Sequence, residues 1–137
     1  DLMFKTVLFP VDRSQESRQA AETVATLVKT HQSRLIILSV VEPREADAPA
    51  ADAMASPEAV AELLQNAKKM FSQQGIEAEV LEREGKPAFT ICDVADDIDA
   101  DLIIMGCRGL GLTHEGTDES VTNRVISLSP CPVLVVP

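Results

Sequence analysis

Four short runs of the chain are apolar with almost no interruption: Val7-Leu-Phe-Pro-Val11, Leu35-Ile-Ile-Leu38, Leu102-Ile-Ile-Met105 and Val133-Leu-Val-Val136. Runs of this length bounded by polar residues read as strands buried on both faces, the situation in a parallel sheet covered by helices. The pattern predicts strands within Phe4–Val11, Arg34–Val41, Asp101–Met105 and Cys131–Val136. A fifth segment, Ile76–Leu81, sets Ile76, Ala78 and Val80 against Glu77 and Glu79, so one of its faces meets water, as expected near a sheet edge.

Between these runs the apolar positions recur at helical spacing. Ser14 can cap a first helix with Glu16 in its first turn and Ala21, Val24, Ala25 and Val28 on one face, closing at His31 and Gln32. A second starts at Ser56-Pro57-Glu58, carries Val60, Leu63, Leu64, Ala67 and Phe71, and stops at Gly75. Gly85-Lys86-Pro87 opens a third with Ala88, Ile91, Cys92 and Ala95 inward, and a fourth begins near Ser120. Residues 42–55 are rich in Ala, Pro, Asp and Glu with no period and read as a flexible surface loop, either a lid or, the commoner case, a solvated connection.

Strand and helix therefore alternate from end to end. That order predicts an α/β fold with a parallel sheet covered by helices on both sides, and together with the motifs at two strand ends it motivates a three-layer α/β/α sandwich around a five-stranded sheet in the order 3-2-1-4-5, as one domain over residues 3–137. Ligands of such sheets sit at the carboxyl ends of the strands, where the strand order reverses. Asp12, Val40 and the residues after Met105 all fall at carboxyl ends.

Twelve basic against 22 acidic residues give a net charge of −10, which repels nucleic-acid backbones and anionic membranes. Neither nucleic acid nor membrane is an expected partner, and no apolar run approaches membrane-spanning length. Without a charged-then-apolar leader in the sequence, a cytoplasmic location is the expectation, with Asp1 and Leu2 ahead of Met3 extraneous to the fold. Cys92, Cys107 and Cys131 share no C-x-x-C spacing, so free thiols are expected rather than a disulfide framework or a zinc site.

The chemistry concentrates after the fourth strand. Gly106 and Gly109 permit a backbone whose successive N–H groups turn toward an anion, and the fourth helix would aim its N-terminal dipole at the same place. Two familiar phosphate signatures fail there: Gly109-Leu-Gly111-Leu-Thr-His114 lacks the third glycine of the dinucleotide fingerprint, and Gly111-x4-Gly116 is followed by Thr117 instead of Lys. On spacing alone the passage is equally a plain strand-to-helix turn.

The passage resembles the universal stress protein family, whose nucleotide-binding members carry G-x2-G-x9-G-(S/T) after the fourth strand. The matching residues here are Gly106, Gly109 and Ser120, with Glu119 in place of the third glycine. Val7-Leu-Phe-Pro-Val-Asp12 with Ser14 is similar to the family's opening strand and turn, and Ser120–Arg124 and Cys131–Val136 to its last helix and strand, so the resemblance spans the chain. It implies a Rossmann-like layout of the adenine nucleotide α-hydrolase-like kind. It also implies an adenine nucleotide (ATP, ADP or AMP, with Mg or Mn as accompanying cation) held by Asp12, Val40, Met105, Gly106, Arg108, Gly109, Ser120 and Val121, with Glu119 counted in the site because it stands at the third-glycine position, and a homodimer paired through Val133–Val136. Each residue has a plainer role open to it: Asp12 as a helix cap, Val40 as core, Ser120 as a first-turn residue, Arg108 as a solvated cation.

His114, Glu115, Asp118 and Glu119 would suit a hard divalent cation, although a solvated loop face is the commoner reason for such a cluster. Cys107 beside Arg108 is either a thiol of lowered pKa or, more commonly, a silent small residue. Three function classes follow: a nucleotide-binding regulatory module in a stress response, favoured by the glycine pair and Asp12; a dimeric stress-linked interaction protein without nucleotide, favoured by Glu119; and, least favoured, a phosphoryl-transfer enzyme, because no residue is placed as an evident base or nucleophile. A response-regulator receiver shares the layout but wants a second acid beside Asp12 and a Lys on the last strand, which Cys131–Val136 lacks.

Overall fold

A computed structural model describes residues 4–11, 15–41, 57–106 and 121–137. Its elements alternate throughout: β1 (Thr6–Pro10), α1 (Gln15–His31), β2 (Arg34–Val41), α2 (Pro57–Gln73), β3 (Ala78–Glu84), α3 (Pro87–Asp97), β4 (Leu102–Gly106), α4 (Val121–Leu128) and β5 (Val133–Val136). All strand pairings are parallel and the sheet order is β3-β2-β1-β4-β5, the predicted topology.

The uninterrupted apolar runs have the physical cause the pattern implied. Val7, Phe9, Val11, Leu35, Ile37, Leu102 and Ile104 project into one core layer with α1 and α2. Leu8, Ile36, Leu38, Ile103 and Met105 project into the other, with α3 and with Val125 of α4. Successive side chains alternate across the sheet and both faces are covered, so every residue of β1 and β4 is buried. Phe71 anchors α2 by meeting the Phe9 ring edge to face, with centroids 6.2 Å apart.

The helix ends follow from local chemistry. Gly75 takes a φ of +80°, a left-handed conformation that lets the Ile76 N–H donate back to the Phe71 carbonyl at 2.9 Å and close α2. Pro87 occupies the first turn of α3, where an N–H would have no helical partner. The expected caps Ser14 and Ser56 lie outside the described residues, as does the 42–55 loop.

β4 runs one residue past the expected range, to Gly106, and β3 differs more in extent from the sequence expectation. β3 runs over Ala78–Glu84 rather than Ile76–Leu81. Ile76 is a buried residue ahead of the strand, and pairing continues through Glu82, Arg83 and Glu84 opposite Ser39, Val40 and Val41. An edge strand needs no apolar side chains to keep its ladder, and charged ones deter pairing with a foreign strand, so the pattern ended before the hydrogen bonds did.

Candidate functional site

The carboxyl edge of the sheet brings together the ends of β1, β2 and β4 and the start of α4. Which backbone groups face the gap there can be worked out from the ladder. In parallel strands a residue's N–H and C=O point to the same side, and successive residues alternate. The Val11 N–H donates to the Leu38 carbonyl at 2.8 Å, so Leu38 faces β1, whereas the Val41 carbonyl accepts from the Gly85 N–H at 2.9 Å on the β3 side. Val40 lies between them in phase with Leu38, and its N–H and C=O are therefore directed toward the β1 side, beyond the last ladder pair, Pro10 with Leu38. A donor and an acceptor side by side on one strand edge match the paired acceptor and donor of a planar heterocycle.

On the β4 side the Ile103 N–H donates to the Pro132 carbonyl at 3.0 Å, toward β5, which leaves Gly106 directed toward β1. Thr122, the second residue of α4, donates its hydroxyl to the Gly106 carbonyl at 3.2 Å. Only 4% of Thr122 is exposed. That bond ties the end of β4 to the start of α4, the side of the helix toward which the positive end of its dipole points.

The predicted site residues can now be placed. Val40 and Val121 are half-buried at the margin of the second core layer, Gly106 ends β4, and the fully buried Met105 packs in that layer with Leu8, Ile103 and Val125. These four converge on the carboxyl edge between β2 and α4. Asp12, Arg108, Gly109, Glu119 and Ser120 lie outside the described residues, as do Cys107, His114, Glu115 and Asp118. Thr122 was not singled out by sequence reasoning. The available signal was its spacing: Thr122 and Val125 form one inward stripe of a short helix, and a hydroxyl there has to find a partner.

Other polar chemistry lies elsewhere. At the opposite, amino edge, Arg34 and Glu79 form a two-point ion pair at 2.5 and 2.8 Å. The hydrogen bond to Arg34 lowers the Glu79 carboxyl, and the same bond raises the Arg34 guanidinium. Cys92 and Cys131 are free thiols. Burial pushes Cys92 up, with Asp93 and Cys131 adding to it; burial also pushes Cys131 up, opposed by its hydrogen bond with Ser129 and helped by Asp101. Both therefore stay protonated at neutral pH, which suits core thiols rather than nucleophiles. Among the described residues no cluster of three His, Cys, Asp or Glu side chains is placed to hold a metal ion, and no helix is long and apolar enough to cross a membrane.

The sequence profile described as "Universal stress protein family" matches residues 3–137. The chain belongs to the universal stress protein family. Universal stress protein Sll1654 of Synechocystis sp. is 67% identical over 138 residues, covering 99% of this chain and 87% of the relative. Among solved structures, the universal stress protein UspA of Lactobacillus plantarum superposes with a TM-score of 0.79 at 25% identity over the whole of both chains. A universal stress protein solved in complex with cAMP has a TM-score of 0.78 at 26% identity, covering 98% of each chain.

Proposed function

We propose that this universal stress protein is a stress-response regulatory protein that binds an adenine nucleotide (ATP, ADP or AMP) at the carboxyl edge of its sheet. The observation that carries the reading is the pairing of two backbone features across one gap. The Val40 N–H and C=O are directed toward it from β2, and Gly106 and the N-terminus of α4 lie tied together beside β4. The first feature suits the edge of an adenine and the second suits phosphate oxygens. A relative at 26% identity that was solved with cAMP supports the choice of an adenine nucleotide. Asp12, Met105, Arg108, Gly109, Glu119, Ser120 and Val121 complete the proposed site, with Mg or Mn as the cation accompanying the nucleotide.

The proposal places the protein in the cytoplasm as a single domain over residues 3–137. It acts as a homodimer joined antiparallel through Val133–Val136. β5 is the last strand of the sheet, so one of its edges offers backbone groups that a twin strand would pair. A second reading, an interaction protein that binds no nucleotide, is favoured by Glu119, a carboxylate at the third-glycine position of the nucleotide-binding pattern that the sequence resembles.

The chain has no Trp and no Tyr, so bound adenine would dominate its spectrum near 260 nm. Gently purified protein is expected to show that band and to release heat on titration with AMP or ADP. No band, together with no heat from ATP, ADP or AMP, would leave the interaction protein as the better reading.

A further inference from the structure

Pro10 is the last residue of β1, the central strand of the sheet, an unusual place for a residue without an N–H. Its direction can be read from its neighbours. The Val11 N–H and the Lys5 carbonyl bond to β2, through Leu38 and Arg34. The Thr6 N–H and carbonyl both bond Asp101 at 2.8 Å, on the β4 side. Alternation puts Leu8 and Pro10 in phase with Thr6, so the donor that proline withholds is one that would have pointed at β4.

The pairing on the two sides of β1 differs accordingly. With β2 the register runs from Thr6 with Arg34 to Pro10 with Leu38, and β4 pairs with β5 as far as Gly106 with Val136. Between β1 and β4 it stops at Leu8 with Ile103, although both strands continue. The next bond of that ladder would run from the residue-10 N–H to the Ile104 carbonyl. Proline cannot make it, and its ring fills the space where the hydrogen would lie.

We propose that Pro10 is a positioning residue: by withholding an N–H on the β4 side, it keeps β1 and β4 from closing at the point where the strand order reverses, so that the crevice there stays open to a nucleotide. The inference rests on the nucleotide reading and adds the physical reason the gap exists. A proline serving only to end the strand would be indifferent to the side its missing donor faces.

Pro10→Val restores the donor in a residue that favours strands, and Pro10→Ala restores it with less bulk should the valine variant not fold. In the folded variant the residue-10 amide should be protected from hydrogen exchange at least a hundredfold beyond an open amide. AMP affinity by calorimetry should fall at least tenfold, with the melting temperature unchanged or raised. A residue-10 amide that exchanges freely would overturn the inference, and so would a protected amide with AMP affinity unchanged. If the wild-type protein binds no nucleotide, the nucleotide reading falls by itself. The exchange measurement then decides whether Pro10 blocks closure, protection supporting it and free exchange overturning it.

Discussion

The tie between Thr122 and Gly106 is the most local test of how the proposed site is built. Thr122→Val keeps the side-chain shape and removes the hydroxyl, so the Gly106 carbonyl loses its 3.2 Å donor in a buried setting. Leaving a buried acceptor without its bond costs about 1–3 kcal/mol, and the added methyl returns somewhat under 1 kcal/mol. The net is about 1–2 kcal/mol, or roughly 3–8 °C in melting temperature for a chain of this length. Thr122→Ser keeps the hydroxyl and loses a buried methyl, which costs about 1 kcal/mol through transfer and packing.

The two variants are thus similarly destabilised, and stability alone cannot separate them. Nucleotide affinity can. If the bond holds the α4 N–H groups in register with Gly106, Thr122→Val should weaken AMP binding about five- to tenfold, equivalent to about 1–1.4 kcal/mol, while Thr122→Ser stays within about twofold of wild type. Calorimetric titration well below the melting temperature of both variants measures this. Equal affinity in Thr122→Val and wild type, or equal weakening in the valine and serine variants, would refute the positioning role and leave Thr122 a satisfied core hydroxyl.

Two further outcomes follow from charge and from strand direction. A carboxylate at Glu119 within about 4 Å of a phosphate repels it by roughly 4 kcal/mol at an effective dielectric of ~20, so AMP, ADP or metal-bridged ATP should bind in preference to free ATP. Glu119→Gly should strengthen metal-free ATP binding in calorimetry and change AMP little; unchanged ATP affinity would mean that Glu119 does not face the phosphates. In β5, Pro132 bonds toward β4 through its carbonyl, so by alternation Val135 directs its N–H to the open edge. Val135→Pro should therefore abolish a dimer paired through this strand, as measured by sedimentation, without breaking the β4–β5 ladder. A dimer that survives the change pairs elsewhere.

How much of this was legible in the sequence depends on whether side chains or backbone carried the signal. The strand order and the two core layers rest on burial of both faces of β1, β2 and β4, which leaves continuous apolar runs such as Leu102–Met105. The last three residues of β3 were missed for the complementary reason: Glu82, Arg83 and Glu84 pair through their backbones at an edge where side chains need not be apolar.

The proposed site is mostly of the second kind. The sequence can name Val40 and Gly106 as residues at carboxyl ends, but not say which side of the strand their N–H and C=O groups take. A register slip of one residue would turn Val40 toward β3 and away from the crevice, with the same residues in the same order. Pro10 shows the limit most sharply. In the sequence it is one more member of an apolar run, whereas in the fold its missing N–H falls on the β4 side, where pairing stops at Leu8 with Ile103. The phase that decides this is fixed by bonds at the other end of the strand, from Lys5 and Thr6 to Arg34 and Asp101, and those partners lie 29 and 95 residues further along the chain. The crevice is therefore a property of the assembled sheet, set by which side of β1 lacks a donor, and no local stretch of sequence contains it.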